Sequence, residues 1–317
     1  MKNILTADIG GTNSRFAHFT FDEKGNLALV NTRWLETRHS NSLSHLLELL
    51  NQSEFSLPID QSDIAVLAVA GPIINGVYSN PPNIPWDIDL SSGLKNLNLI
   101  RCFLINDFVA QAYACRSPVI GSARQVIAGQ IDASAPLAVI GAGTGLGMAA
   151  LIPNGAGGYV AVPSEGGHCV FPFESRAEFE FMQFVMDKLN APYVETEFVV
   201  SGRGLSLVHQ FLAGEKLTPA EVSAGLSHDS ETLAWMARFY GRACRNYALQ
   251  VLARGGVYIA GGVAAKMPLL VMHPAFEQQF TNSKTMSAML QKIPVYLNTN
   301  EESGLWGAAL FAAQNLK

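Results

Sequence analysis

Residues 3–21 read NILTADIGGTNSRFAHFTF. An apolar run, 3–7, ends on the carboxylate of Asp8. Gly10, Gly11, Thr12 and Asn13 follow, and residues 15–21 then alternate as a strand does. Residues 27–34 alternate again after a turn at Gly25-Asn26, so the spacing predicts a three-stranded antiparallel meander. A carboxylate at the end of a buried strand is costly, and one placed directly before Gly-Gly-Thr marks a turn that does more than reverse the chain. Phosphate oxygens need several converging backbone N–H donors, which glycine allows through close approach and positive φ. Asp8, Gly10, Gly11, Thr12 and Asn13 fit such a phosphate turn, with Asp8 able to hold Mg²⁺ through a water. An ordinary tight hairpin is the plainer alternative.

The same logic returns at 137–152, LAVIGAGTGLGMAALI. Gly141, Gly143, Thr144 and Gly145 form a second glycine turn. It has no Walker lysine, and a strand rather than a helix follows, which excludes both a P-loop and a dinucleotide fingerprint. A third turn, Gly261-Gly262, lies between an apolar run at 257–260 and a predicted helix, where small residues let an adenine ring lie against the backbone. Each turn alone is compatible with a simple connection; two phosphate-type loops in one chain are a stronger signal. Elsewhere, Leu43, Leu46, Leu47 and Leu50 predict one helix face. Residues 64–70 and 102–105 read as buried strands, 231–252 as a long helix, 293–297 as a last strand and 303–313 as a closing helix. Two strand–turn–strand segments imply two related halves facing one another across a cleft.

With 317 residues, 49% apolar and only 15% charged, the chain can bury the cores of two domains and is not disordered. A net charge of −5 with scattered Lys and Arg excludes a nucleic-acid partner. Only Ile4 and Leu5 separate Met1-Lys2 and Asn3 from the Asp8 region, too short an apolar run for an export signal. The apolar stretch 137–152 is broken by glycines and falls short of the ~20 residues that cross a bilayer. Cys102, Cys115, Cys169 and Cys244 stand alone without a CxxC pair, as reduced thiols do. These features predict a cytoplasmic protein with no membrane partner.

Recognition of a polyhydroxylated acceptor calls for carboxylates, carboxamides and imidazole. Asn106-Asp107 closes a buried strand, Glu165-Gly166-Gly167-His168 sets a carboxylate and an imidazole about two glycines, and Glu197 precedes Ser201-Gly202 and a helix. The bland alternatives are an Asp107 helix cap, a core histidine at 168 and a surface ion pair at Glu197. Glu195 would share a strand face with Glu197, and spacing does not choose between them.

The motifs Asp8-Ile9-Gly10-Gly11-Thr12-Asn13-Ser14-Arg15, Ile105-Asn106-Asp107-Phe108, Gly141 to Gly147, Pro163-Ser164-Glu165-Gly166-Gly167-His168, Ser201-Gly202-Arg203-Gly204-Leu205 and Ile259-Ala260-Gly261-Gly262 resemble, in order and spacing, those of the bacterial glucokinase family. The resemblance implies an α/β protein of the actin-like ATPase (ribonuclease H-like) fold, with two domains around a central cleft. Residues 1–107 would form a small α/β domain, completed by a helix at 301–317, and residues 108–300 a large α+β domain. It further implies ATP-dependent phosphorylation of glucose to glucose 6-phosphate, with Mg²⁺ and with Asp107 as catalytic base. Asn106, Asp107, Glu165, His168 and Glu197 would meet the sugar. The turns at Asp8 and at Gly141 to Gly147 would hold the ATP phosphates, Gly261-Gly262 would lie against the adenosine, and the protein would be a homodimer. A proline-rich run at 80–86 and Arg203 depart from the family pattern, and the zinc-binding cysteine cluster of the related ROK kinases is absent. A kinase for another hexose or an N-acetylhexosamine, and an ATP-binding sugar-sensing regulator, are the competing functions.

Overall fold

A computed structural model describes residues 1–91 and 93–316. The chain divides into two compact units, Met1–Gly121 with Asn300–Lys317, and Ser122–Thr299.

In the first unit, β1 (Lys2–Ile9), β2 (Asn13–Phe21) and β3 (Leu27–Glu36) form the expected meander. Helix α1 (Leu43–Asn51) buries the four leucines of its predicted face, and the Ser42 hydroxyl caps it by accepting from the His45 N–H. Strand β4 (Ile64–Val69) is buried at every position. A two-stranded ribbon, β5 (Tyr78–Ser79) and β6 (Ile88–Asp89), precedes β7 (Cys102–Asn106) and helix α2 (Asp107–Ala114). The sheet order is β3-β2-β1-β4-β7, with β1, β4 and β7 parallel. The register sets Ile9 beside Val69 and Val69 beside Asn106. The glycine turn after β1 and the Asn106-Asp107 pair after β7 therefore emerge at one sheet edge.

The second unit holds β8 (Arg124–Ile127), β9 (Leu137–Ala142), β10 (Leu146–Pro153) and β11 (Tyr159–Ser164). Helices α3 (Arg176–Leu189), α4 (Thr196–Val199), α5 (Gly202–Ala213), α6 (Pro219–Gly225) and α7 (Glu231–Val251) follow. The chain then runs through β12 (Val257–Ala260), α8 (Gly262–Lys266) and β13 (Val295–Leu297). The order β11-β10-β9-β12-β13-β8 repeats the first sheet, two antiparallel pairings on one side of β9 and two parallel ones on the other, with β8 added at the edge. The two halves are thus related in topology. Helix α7 is the spine of this unit: Phe239, Tyr240 and Arg242 are fully buried.

The closing helix Ser303–Asn315 belongs to the first unit and moves the expected division. The break falls at residue 121 rather than 107, because α2 packs along the closing helix and stays with it. Phe311 meets Phe103 and Tyr113 edge-on, each at 5.3 Å. Gly307 lets the helices approach until a Cβ there would overlap the Ala110 carbonyl. We expect Gly307→Ala to destabilise the protein by about 1–3 kcal/mol through overpacking, read as a lowered thermal midpoint. Gly121→Ala, where a Cβ meets nothing within 4 Å, is expected to be close to neutral.

Candidate active site

The first glycine turn is braced from within its own unit. The Gly10 N–H donates to the Asn13 carbonyl at 3.1 Å. The Thr37 hydroxyl donates to the Gly10 carbonyl at 2.6 Å, and the Thr37 N–H to the Thr12 carbonyl at 3.0 Å. Neither Gly10 nor Gly11 has positive φ, contrary to the reason first given for them. Gly11 is required by close approach: a Cβ there would sit 2.5 Å from the Asn83 carbonyl, so the proline-rich run at 80–86 lies against the turn.

Asp8 stands opposite Arg15 in the hairpin. Arg15 Nη1 lies 3.9 Å from Asp8 Oδ2 and donates to the Glu301 carbonyl at 2.8 Å, while its guanidinium covers the Trp34 ring at 4.1 Å. Burial pushes the Asp8 carboxyl above its ordinary range, and Arg15 only partly offsets that. Gly304 of the closing helix faces the same carboxylate. A partly exposed carboxylate whose charge Arg15 only partly compensates fits a hydrated cation beside it.

After β7, the helix cap falls to Asn106, not to Asp107. Asn106 Oδ1 accepts from the Phe108 and Val109 N–H groups at 2.9 and 3.3 Å, and its Nδ2 donates to the Gly71 carbonyl at 3.1 Å. Asp107 is the first residue of α2.

In the second unit, the Gly143 N–H donates to the Gly145 carbonyl at 2.8 Å, and the Gly143 carbonyl accepts from Gly202 at 3.0 Å. The Ala142 N–H donates to the buried Tyr240 hydroxyl at 3.2 Å, so α7 supports the turn from below. Gly261 has φ +86°, and a Cβ there would lie 2.6 Å from the Ala142 carbonyl. Parallel pairing of β12 with β9 produces this closeness, with Ala260 beside Gly141. Gly143, Thr144, Gly202, Arg203, Gly262 and Lys266 share the lining of a pocket of about 980 Å³. Ser206 also lines it, and its buried hydroxyl has no hydrogen-bond partner among the described residues. Such an orphan suits a bound polar molecule. Gly141 is instead buried within β9, and Gly145 lies against Glu197, whose Oε2 would be 2.6 Å from a Cβ at that position.

His168 is exposed, which removes the core-histidine alternative. Its Nδ1 lies 2.9 Å from Glu195 Oε2 and 3.9 Å from Glu197 Oε1, and its Nε2 lies 3.7 Å from Glu165 Oε2. Glu195 and Glu197 do not share a strand face. Glu195 is the N-cap of α4, and one helical turn brings both carboxylates to the imidazole. At 2.9 Å the Glu195 contact is within direct hydrogen-bond distance. Three carboxylates around one imidazole form a donor and acceptor array suited to vicinal hydroxyls.

The profile of the family described as Glucokinase matches residues 5–315. The glucokinase of Nostoc punctiforme is 31% identical over 346 residues, covering 99% of this chain and all of that one. The chain belongs to the glucokinase family.

Glucokinase structures agree. That of an Antarctic psychrotroph superposes with TM-score 0.83 at 29% identity, covering 99% of both chains. A ROK family glucokinase from Streptomyces griseus, in complex with glucose and AMPPNP, shares the fold at TM-score 0.61 and 18% identity, covering 98% of this chain and 99% of that one. The fold is the two-domain actin-like ATPase fold of glucokinases and ROK sugar kinases. Within it, reading the sequence did not single out Arg15 or Ser206, and it left Glu195 and Glu197 undecided. Arg15 had a usable signal, since a hairpin turning at residues 10–13 sets 15 opposite 8. Ser206 and the choice between the two glutamates depend on contacts between distant segments.

Because Asn106 satisfies two helix N–H groups and tethers the Gly71 loop, we expect Asn106→Ala to cost about 1–2 kcal/mol, read as a lowered urea midpoint.

Proposed function

We propose that this protein transfers the γ-phosphoryl group of MgATP to the 6-hydroxyl of glucose, forming glucose 6-phosphate and ADP. The observation that carries the reading is the pocket joining Gly143-Thr144 to Gly262, in a chain of the glucokinase family. That volume suits an adenosine moiety. The glucose 6-oxygen forms the new P–O bond as the bond to ADP breaks, and Asp107 takes the hydroxyl proton. Transfer of this kind has a loose transition state, so holding the acceptor in line matters more than a strong base. Asn106, Asp107, Glu165, His168 and Glu197 hold the sugar hydroxyls. The turn at Gly10, Gly11, Thr12 and Asn13 and the turn from Gly141 to Gly145 offer backbone N–H groups to the phosphates. Gly261 and Gly262 lie against the adenosine, and Asp8 would hold Mg²⁺ through a water. When bound, that ion supplies neutralisation of phosphate charge.

A homodimer and a cytoplasmic location belong to the same proposal, on the strength of the family resemblance. Among the described residues no helix is long and apolar enough to cross a membrane.

A coupled assay with MgATP and a panel of glucose, mannose and N-acetylglucosamine tests the acceptor. Glucose is expected to give the highest kcat/KM; a higher value for an N-acetylhexosamine overturns the assignment. Asp107→Asn is expected to lose about 10²-fold or more in kcat while still binding glucose by calorimetry. Near-normal turnover in that variant would remove Asp107 as the base.

A further inference from the structure

Glu195 differs from its acidic neighbours in its contact with the ring: it alone lies within hydrogen-bond distance, at 2.9 Å, against 3.9 Å for Glu197 and 3.7 Å for Glu165. Its side chain is 20% exposed, close to the 24% of Glu197 and far below the 70% of Glu165 on the opposite side of the imidazole. Backbone contacts stitch the segments that carry it and His168. Val170 pairs with Glu195 as an antiparallel bridge, the Phe171 N–H donates to the Val194 carbonyl at 2.9 Å, and the Thr196 N–H and hydroxyl both donate to the Cys169 carbonyl. The two side chains therefore meet inside a fixed frame. An ionised carboxylate only accepts hydrogen bonds, so the 2.9 Å contact assigns a proton to Nδ1 and fixes the ring plane.

Glu197 is turned to another task. Its Oε2 faces Gly145, and its Oε1 stands 3.9 Å from the imidazole.

We infer that Glu195 is a positioning residue: it holds His168 through Nδ1 and so fixes the Nε2 edge toward a sugar hydroxyl, accepting from it when the ring is neutral and donating to it when the ring is protonated, while Glu165 and Glu197 accept hydroxyl hydrogens. This rests on the sugar-site reading of His168 given above. The charged groups facing the ring are Glu165 on its own loop and Glu195 and Glu197 at α4. Strand β10 meets Gly166 and Gly167 with the uncharged Met148 and Leu146. In agreement, the hydrogen bond to Glu195 foremost, and the charges of Glu197, Glu195 and Glu165, raise the His168 pKa against the opposing effect of burial. A protonated ring donates from both nitrogens.

The test combines an NMR titration of His168 in the sugar-free protein with steady-state kinetics, for wild type, Glu195→Gln, Glu195→Asp and His168→Ala, with circular dichroism to confirm folding. Glu195→Gln is expected to lower the His168 midpoint and raise KM for glucose about tenfold, with kcat falling less than threefold. Glu195→Asp, which keeps the charge, is expected to recover most of both effects. If Glu195→Gln leaves the midpoint and KM at wild-type values while His168→Ala raises KM, the sugar-site reading stands and the positioning role is overturned. If His168→Ala itself leaves KM unchanged, the sugar-site reading fails and the inference with it, even where Glu195→Gln has moved the midpoint.

Discussion

Parallel strands that lie side by side finish at the same edge of their sheet, and the chemistry of this chain is arranged around that constraint. In the first unit the ends of β1, β4 and β7 carry Asp8 with its glycine turn, Gly71, and Asn106-Asp107. In the second, β9 and β12 end together, so the turn at Gly143 and the turn at Gly261 meet and open into one pocket. The antiparallel partners β2 and β10 carry the chain back from each glycine turn. Each turn is left as a short projection at the end of its sheet. Glycine is needed where two such projections crowd each other, as at Gly261 against Ala142, or where a covering segment presses down, as at Gly11 under Asn83.

A second constraint acts on the segment that follows the imidazole loop. Arg242 has no solvent exposure, yet its guanidinium grips Glu178 through two hydrogen bonds, at 2.6 and 3.0 Å, and donates to the Pro172 carbonyl at 2.9 Å. It also reaches Glu174 at 3.1 Å and lies near the faces of Phe171 and Phe239. Burial alone would raise the Glu178 pKa; Arg242, the Glu174 N–H and Arg238 outweigh it, and the carboxyl ends below its ordinary value. An ion pair in such a place adds little net stability compared with apolar packing, but it tolerates few alternative arrangements. Its partners run from 172 to 178, shortly after His168, so a fixed arrangement there fixes the loop that presents the imidazole.

The local features were legible because local rules produce them. The leucines of α1, the alternation of β2 and β3 and the glycine turns follow from side-chain period and turn chemistry within a few residues. Legibility ended where distant segments meet. The division of the chain moved from 107 to 121 because Gly307 and Phe311 hold α2 against a helix almost two hundred residues later. Glu195 and Glu197 looked equivalent on a strand and became distinct once α4 turned one toward Nδ1 and the other toward Gly145. The pocket drew on α5, α6 and α8, whose joint lining no single stretch announces. The shared topology of the two sheets was only hinted at by their turns, since their sequences have little else in common.

The pairing of Asn106 with Asp107 shows how the fold separates structural and chemical demands on adjacent residues. An N-cap must accept hydrogen bonds from the first turn of its helix, which commits its side chain to that task. Here a neutral carboxamide carries the cap, and the carboxylate is displaced by one residue into the first turn of α2. On the reading proposed above, a loose phosphoryl transfer depends on the placement of the proton acceptor more than on its strength, and the Asn106 amide, tied at once to the helix and to the Gly71 loop, fixes where that acceptor stands.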